Sequence, residues 1–114
     1  MRRIALIIQY IASYLYNRDT VSYTVADPSR PTPADSLYLK LCELLSAGDI
    51  CGAENYLFEN FMAGDDYILA ALDFYQRLNG MSDEELAARD FSRDEVREGL
   101  CDILKKAGMD TSKL

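Results

Sequence analysis

Three groups of neighbouring acids are the first candidates for metal binding or acid–base catalysis in this sequence: Asp65–Asp66, Asp83–Glu85 and Asp94–Glu95. Each group falls in the first turn of a predicted helix, where the helix dipole stabilises a carboxylate without any catalytic role. Di-metal carboxylate bundles need Glu-x-x-His pairs, and the chain contains no histidine and no D-x-D-x-D-G calcium loop. We therefore predict no metal site and no cofactor, and expect these acids to stabilise helix starts.

The three cysteines, Cys42, Cys51 and Cys101, are the second candidates. They form no C-x-x-C pair, which excludes a zinc ribbon or a thioredoxin-like motif. An odd number of separated thiols suits a reducing cytosol, so we expect a cytoplasmic protein. Cys51 lies in the first turn of a predicted helix, where a thiol pKa can be lowered, but Asp49 and Glu54 oppose this shift. We therefore favour an inert Cys51, and a reactive Cys51 is the remaining alternative.

Tyrosine is the third distinctive residue type, with eight copies in the chain. Catalytic triads and histidine bases are excluded, and no P-loop, G-x-S-x-G, G-x-G-x-x-G or kinase signature is present. Tyrosine favours positions that are apolar at one end and wet at the other, as protein interfaces are. We predict a partner-binding groove beside the second and fourth predicted helices, which start near Pro33 and Asp65, and expect it to use Tyr38, Tyr67 and Arg77.

The charge of the chain is unevenly distributed. Residues 1–30 carry four arginines and two aspartates, whereas residues 31–114 carry eight basic and seventeen acidic side chains, within a total of −7. An acidic body repels the phosphate backbone, so we predict no nucleic-acid binding.

The N-terminal sequence MRRIALIIQYIASYLYN predicts an amphipathic helix over residues 1–16. It lacks the small-x-small cleavage site of a secretory signal and is too short and polar to span a bilayer. Ile4, Ile8, Ile11 and Leu15 form one stripe at helical spacing, and a second apolar face lies beside it. A helix with two apolar faces needs two neighbours, so we predict a homodimer formed through this helix, with contact residues Ile4, Ile7, Ile8, Ile11 and Leu15.

Residues 17–33 contain all three prolines and are predicted to be a connector on the surface. The alternation of Val21, Tyr23 and Val25 within it favours a short extended piece.

The remaining chain, residues 34–108, is predicted to be a helical bundle core within a single domain. Thr32 and Asp35 predict one helix start, and Gly48 followed by Asp49 predicts a helix end and the next cap. The capping boxes S-x-x-E at Ser82 and Ser92 predict two further starts. The expected fold is all-α, with about six helices arranged as antiparallel hairpins. The predicted core is Leu37, Leu41, Leu44, Leu45, Ile50, Ala53, Leu57, Phe61, Ile68, Ala71, Leu72, Tyr75, Leu78, Val96, Leu100, Ile103 and Leu104.

The hairpin LLSAGDICGAENYLFE resembles one tetratricopeptide unit, since Gly48, Ala53 and Leu57 match its spacing. Lys40 and Leu41 depart from the repeat, and one unit does not make an array.

A more specific resemblance covers residues 36–104. The stretches LYLKLCELLSAGDICGAENYLFE, ALDFYQRLNGMSDEEL and FSRDEVREGL are similar, in order and spacing, to a family of small bacterial helical proteins catalogued as a domain of unknown function. The resemblance implies an all-helical intracellular bacterial protein, and no activity or site residue.

The sequence thus favours a non-enzymatic helical interaction domain that self-associates through its N-terminal helix. The alternative is a small-ligand binder or an unrecognised enzyme built on carboxylates and tyrosines inside the bundle. A third and weaker hypothesis places the basic N-terminal helix on a membrane surface, and we do not expect a membrane partner.

Overall fold

The computed structural model of the protein describes residues 23–109, which contain five helices. These are α1 (Pro33–Ser46), α2 (Ile50–Asn60), α3 (Asp65–Asn79), α4 (Asp83–Ala87) and α5 (Arg93–Lys106). No strand occurs in this part of the chain. The all-α prediction is confirmed, and the five helices match five of the six expected. The sixth, residues 1–16 with its predicted dimer contacts, lies outside the described residues.

The helices begin where their capping residues predicted. Thr32 caps α1 in a full capping box with Asp35, and Ser82 caps α4 in the same way with Glu85. Asp49 caps α2 through the Gly52 N–H, at 2.9 Å. At α5 only one of the two hydrogen bonds of the expected capping box forms.

In α5 the Glu95 N–H donates to the Ser92 hydroxyl, as predicted. The Glu95 carboxylate accepts from that same hydroxyl, at 3.2 Å. In a full box it would accept from the backbone N–H of Ser92, so this start is a variant of the predicted one.

The turn between α1 and α2 depends on a single glycine. Gly48 has φ +79°, and its N–H donates to Leu45 while the Asp49 N–H donates to Leu44. These two bonds form a Schellman motif, which requires a left-handed residue at its centre. One short turn thereby ends α1 and starts α2, and α2 packs back against α1.

The helix α3 is the centre of the bundle. It packs against α1 on one side and against α5 on the other. Every predicted core residue is buried except Leu44 and Leu45, which are half-buried at the last turn of α1. The stripe spacing therefore identified the core, because each helix buries the face that carries its i, i+3 and i+4 apolar residues.

An arginine that the sequence patterns did not single out joins three helices. Arg93, in the first turn of α5, donates to the backbone oxygens of Asn79 and Met81 and to the Asp83 carboxylate, at 2.7–3.2 Å. Its side chain is only 14% exposed. A cation at the C-terminal end of α3 also complements the dipole of that helix.

The chain before α1 lies partly inside the bundle. Residues 26–33 are exposed, as the connector prediction requires, but Tyr23 is only 8% exposed. Tyr23 forms a second, smaller apolar cluster with Ala34, Tyr38 and Ala70. The segment therefore packs against the bundle at Tyr23, which lies between α1 and α3. None of the helices in residues 23–109 is long and apolar enough to cross a membrane.

Asp90 is the one residue other than glycine with a positive φ, 56°, in the described part of the chain. It follows α4 in a second Schellman motif, in which its own N–H donates to Ala87 and the Phe91 N–H donates to Leu86. We expect Asp90→Gly to raise the free energy of unfolding by about 1 kcal/mol, because the left-handed conformation costs a side chain energy and glycine nothing. Urea unfolding followed by circular dichroism measures the change.

Ala88→Gly is the matched control for this substitution. Ala88 lies in the same turn but has a right-handed conformation, with φ −63°. Glycine at this position is expected to lower the free energy of unfolding by about 0.5–1 kcal/mol. Two changes of the same sign would contradict the assignment of strain to Asp90.

Candidate functional site

Tyr23 is held between α1 and α3 by a network of polar contacts. Its hydroxyl donates to Asp35 Oδ1 at 2.6 Å, and its backbone N–H donates to Asp73 Oδ2 at 2.8 Å. Arg77 donates through Nε to Asp73 Oδ1 at 2.6 Å and through Nη2 to the Tyr38 hydroxyl at 2.7 Å. The rings of Tyr23 and Tyr38 pack with centroids 4.6 Å apart. We call these five residues the tyrosine anchor.

The helices place the members of the tyrosine anchor by simple spacing. On α3, Asp73 and Arg77 are four residues apart and therefore lie on one face. On α1, Asp35 and Tyr38 are three residues apart, and Asp35 also accepts the Thr32 N–H that closes the capping box, at 2.9 Å. Packing of α1 against α3 then brings the two pairs together, and Tyr23 occupies the space between them.

Asp35 and Asp73 are the two buried acids of the described chain, with 5% and 4% exposure. A buried carboxylate destabilises a protein unless it is paired and hydrogen-bonded. Each of these carboxylates uses both oxygens to accept hydrogen bonds. The hydroxyl of Tyr23 and the N–H of Thr32 hold the pKa of Asp35 below its usual value of 3.8.

The two tyrosines of the anchor are protonated at neutral pH. Burial, together with the hydrogen bond to Asp35, raises the pKa of Tyr23 far above its usual 10.0. Burial, followed by the Cys42 thiol and the Asp73 carboxylate, raises the pKa of Tyr38 to about 12. A protonated hydroxyl can donate a hydrogen bond, as Tyr23 does to Asp35.

The structure brings together two of the three predicted partner-binding residues. Tyr38 and Arg77 are hydrogen-bonded, with the guanidinium carbon 5.8 Å from the ring centre. Tyr38 is only 8% exposed, however, whereas the Arg77 side chain is 53% exposed. Tyr67 forms no hydrogen bond to this pair within residues 23–109; it is half-buried and packs against the small cluster that contains Tyr38, with its ring edge-on to Phe61 at 6.0 Å. Replacing Tyr38 would therefore disturb the core as well as any partner surface.

A second carboxylate–tyrosine pair joins α2 and α3. The Tyr75 hydroxyl donates to Glu54 Oε2 at 2.7 Å, and Tyr75 is fully buried. Both groups press against Gly99 of α5, where a Cβ atom would overlap them. Glycine at this position in the middle of α5 therefore permits the close approach of the pair.

Burial raises the pKa of Glu54, and the charges of Glu95 and Asp102 raise it further, while the hydrogen bond from Tyr75 lowers it. Burial and the neighbouring Glu54 raise the pKa of Tyr75. The charge of Glu54 is thus unfavourable in the folded state, first because the carboxylate is half-buried and second because Glu95 and Asp102 of α5 lie near it.

Cys51 is exposed, and its thiol lies 3.8 Å from the Asp90 backbone oxygen. Desolvation raises its pKa, and so do the charges of Glu95, Asp90, Glu54 and Asp49. The thiol is protonated at neutral pH, which supports the interpretation of Cys51 as an inert residue.

Within residues 23–109 no group of three or more acids and cysteines is arranged to hold a metal ion. The sequence patterns missed Tyr23, Asp35 and Asp73 as parts of one site. Asp35 was visible as a cap, and the pair Asp73–Arg77 has helical i, i+4 spacing. Nothing in the sequence indicated that a tyrosine ten residues before α1 would join them.

Comparison with known proteins gives one match. The model of a family of unknown function (DUF6483) matches residues 1–108. No curated protein and no solved structure matches the chain.

Tyr23→Phe tests the anchor. Removing the hydroxyl leaves Asp35 without its buried donor, so we expect the free energy of unfolding at pH 7 to fall by about 1–2 kcal/mol. The pKa of Asp35 is lowered in the folded state, so this contribution is present above the usual value of 3.8 and is lost as the pH falls through the folded-state pKa. Urea unfolding between pH 7 and pH ~3 measures both effects.

Tyr56→Phe is the control for this loss, since Tyr56 is a half-buried tyrosine of α2 outside the anchor. It is expected to change stability by less than about 0.5 kcal/mol at any pH in this range. Equal losses in the two variants would contradict a specific role of the Tyr23 hydroxyl.

Glu54→Gln tests the second pair. Since the pKa of Glu54 is raised by folding, its ionised form opposes folding above the folded-state pKa, and the penalty disappears as the pH falls below the usual 4.5. We expect a higher Tm than wild type at pH 7 and a difference that shrinks towards pH ~4. Glu98→Gln, at an exposed position on α5, is the control. A Glu54→Gln protein less stable than wild type at pH 7 would contradict the assigned penalty.

Proposed function

The chain belongs to this family of unknown function, DUF6483, and we propose that it is a non-enzymatic helical protein-interaction domain. In this proposal the domain forms a homodimer through the helix predicted over residues 1–16. The contact residues are drawn from Ile4, Ile7, Ile8, Ile11 and Leu15.

The tyrosine anchor is the observation that carries the proposal. It fixes the backbone of Tyr23 to Asp73 of α3, so the chain that precedes Tyr23 starts from a defined point on the bundle. Only residues 17–22 separate this point from the predicted helix. A helix held at a fixed place can present an apolar face in one orientation, which lowers the entropy that a partner must overcome.

The apolar content of the predicted helix supports self-association. Ile4, Ile8, Ile11 and Leu15 form one face, and Leu6, Ile7, Tyr10 and Tyr14 form another. A single bundle covers one face of a surface helix, and the other needs a second partner. The proposed contact residues Ile4, Ile8, Ile11 and Leu15 belong to the first face, so in this proposal the second copy covers the first face and the bundle covers the second.

The chemistry of the described residues favours binding over catalysis. The buried carboxylates are held by tyrosine, arginine and backbone donors, and the anchor tyrosines stay protonated. A protein partner that uses the groove beside α1 and α3 would contact Arg77 and Tyr67, whose side chains reach the surface. Tyr38 would contribute indirectly, because its hydroxyl accepts a hydrogen bond from Arg77 and so helps to position the guanidinium.

The finer features of the proposal have separate support. The α1–α2 hairpin, with its Gly48 turn, supports a tetratricopeptide-like unit. The free thiols of Cys42, Cys51 and Cys101 support a reducing, cytoplasmic location. A bacterial origin rests on the family resemblance of the sequence.

The competing function is a small-ligand site or enzyme built on carboxylates and tyrosines. One observation favours it, since the bundle does contain two such pairs, Tyr23–Asp35 and Tyr75–Glu54. In both pairs the tyrosine hydroxyl is already used to satisfy the carboxylate. A ligand would have to replace these bonds, so we rank this function second.

Ile7→Glu tests self-association. A charge in the centre of an apolar dimer contact is desolvated without a partner, so we expect the dimer dissociation constant to rise at least ~100-fold. Sedimentation velocity over a range of concentrations measures it. Removing residues 1–16 is expected to give a monomer.

Gln9→Glu introduces the same charge on the polar side of the predicted helix and is expected to leave the dissociation constant within about threefold of wild type. A wild-type chain that stays monomeric at every concentration would overturn the proposal. So would equal effects of the two substitutions.

A further inference from the structure

The groove beside α1 and α3 is filled by a side chain of this protein. Tyr23 lies in it and is only 8% exposed, and it shares one apolar cluster with Tyr38 and Ala70. Tyr67, one of the predicted partner-binding residues, packs against the same cluster. The groove is therefore shaped for a tyrosine side chain. We call the residues around it the tyrosine pocket: Asp35, Tyr38, Ala70 and Asp73.

The pocket contacts three parts of the tyrosine. The ring packs on Tyr38 with centroids 4.6 Å apart, the hydroxyl donates to Asp35 Oδ1 at 2.6 Å, and the backbone N–H donates to Asp73 Oδ2 at 2.8 Å. Each contact is one that a tyrosine of a separate chain could also make. Phenylalanine lacks the hydroxyl donor, and phosphotyrosine would bring negative charge against two carboxylates. The backbone N–H must be free, which excludes a tyrosine inside a helix.

Tyr23 is connected to the helices by a segment with few contacts of its own. Val25 packs half-buried at the edge of the small cluster, and residues 26–33 are exposed. Asp27 accepts hydrogen bonds from the N–H and the hydroxyl of Ser29, in a local turn. Segments with few buried contacts open at a lower free energy than the core of a domain. Tyr23 can therefore leave the pocket without unfolding of α1 or α3.

We propose that the tyrosine pocket is a partner-binding site, and that its ligand is a non-helical segment of a partner protein with an unphosphorylated tyrosine. Tyr23 is then a ligand bound in cis, which the tyrosine of the partner displaces. Arg77 borders the pocket through its bonds to Asp73 and Tyr38, and its side chain is 53% exposed, so it contacts the partner beside the tyrosine. This rests on the interaction role in the proposed function and is independent of self-association.

Peptide binding to the full chain tests the proposal. The probe is residues 21–27, VSYTVAD, acetylated and amidated at its ends. In the wild-type chain the tethered Tyr23 competes at a millimolar effective concentration, so we expect the peptide to bind the Tyr23→Ala chain at least ~10-fold more tightly. Calorimetric titration measures both affinities. Tyr56→Phe, outside the pocket, is the control and is expected to keep the wild-type affinity.

Two altered peptides test the chemistry of the pocket in the Tyr23→Ala chain. The peptide with Tyr23→Phe leaves Asp35 without its donor and is expected to bind at least ~10-fold more weakly. The peptide phosphorylated on its tyrosine is expected not to bind, because its phosphate faces two buried carboxylates. Equal binding of the three peptides would overturn the proposal. So would equal affinities of the wild-type and Tyr23→Ala chains for the unmodified peptide.

NMR titration of the wild-type chain provides a second measurement if Tyr23→Ala does not fold. At about 10 mM unmodified peptide, displacement of Tyr23 is expected to shift the amide signals of Tyr23, Asp73 and Arg77. The amide of Glu98, at an exposed position on α5, is expected to stay in place. Unchanged signals at the three pocket positions would overturn the proposal.

The test also separates a partner protein from a second copy of this chain. In a mixture of labelled and unlabelled wild-type chains refolded together, isotope-filtered NOEs between the rings of Tyr23 and Tyr38 arise only between copies. Such NOEs would assign the pocket to the second copy and overturn the assignment to a different protein. Sedimentation measures self-association separately, and peptide binding by a wild-type chain that stays monomeric supports the pocket while the homodimer fails.

Discussion

The carboxylate of Asp73 accepts hydrogen bonds from two groups, one on its own helix and one in the chain before α1. The position of the chain before α1 depends on the second of these bonds. One oxygen accepts from Arg77 of the same helix, and the other accepts from the backbone of Tyr23. Burial of Asp73 would cost several kcal/mol if either donor were missing. The bond to Arg77 forms within α3, so the helix presents a partly neutralised carboxylate that a backbone N–H can complete. The entering chain supplies that N–H at Tyr23.

Glu54 is a second carboxylate that a hydrogen bond from another helix holds in place, but it is less deeply buried than Asp73. This carboxylate is half-buried and receives one hydrogen bond from Tyr75, while Glu95 and Asp102 lie near it. Unlike Asp73, it has no cation among its hydrogen-bond partners. Gly99 allows α5 to approach the pair closely, and the close packing of α5 on α3 is gained at the expense of an unfavourable charge. The described bundle therefore contains two buried acids, Asp35 and Asp73, whose oxygens all accept hydrogen bonds, and a half-buried acid, Glu54, whose charge is not compensated.

Much of the fold was predictable because its signals are local. A capping residue such as Thr32 or Asp49 acts on an N–H three residues away, and the left-handed Gly48 closes bonds within six residues. The stripes of α2, α3 and α5 identified buried residues for the same reason, since helical periodicity decides which side chains share a face. Errors occurred where a distant part of the chain intervenes. Leu44 and Leu45, in the last turn of α1, pack against the core but are only half-buried, because helical spacing does not determine how far other elements cover a helix end.

The sequence by itself determined the helices, their ends and the residues on their apolar faces, and it excluded histidine-based chemistry. Only the tertiary structure decided that Tyr23 enters the bundle and that Tyr38 is bound by Arg77. It also paired Tyr75 with Glu54 against Gly99. The physical reason is the range of the interactions. Caps and stripes join residues within one or two turns, whereas the hydrogen bond from Tyr23 to Asp73 spans 50 residues and exists only after α1 and α3 have packed.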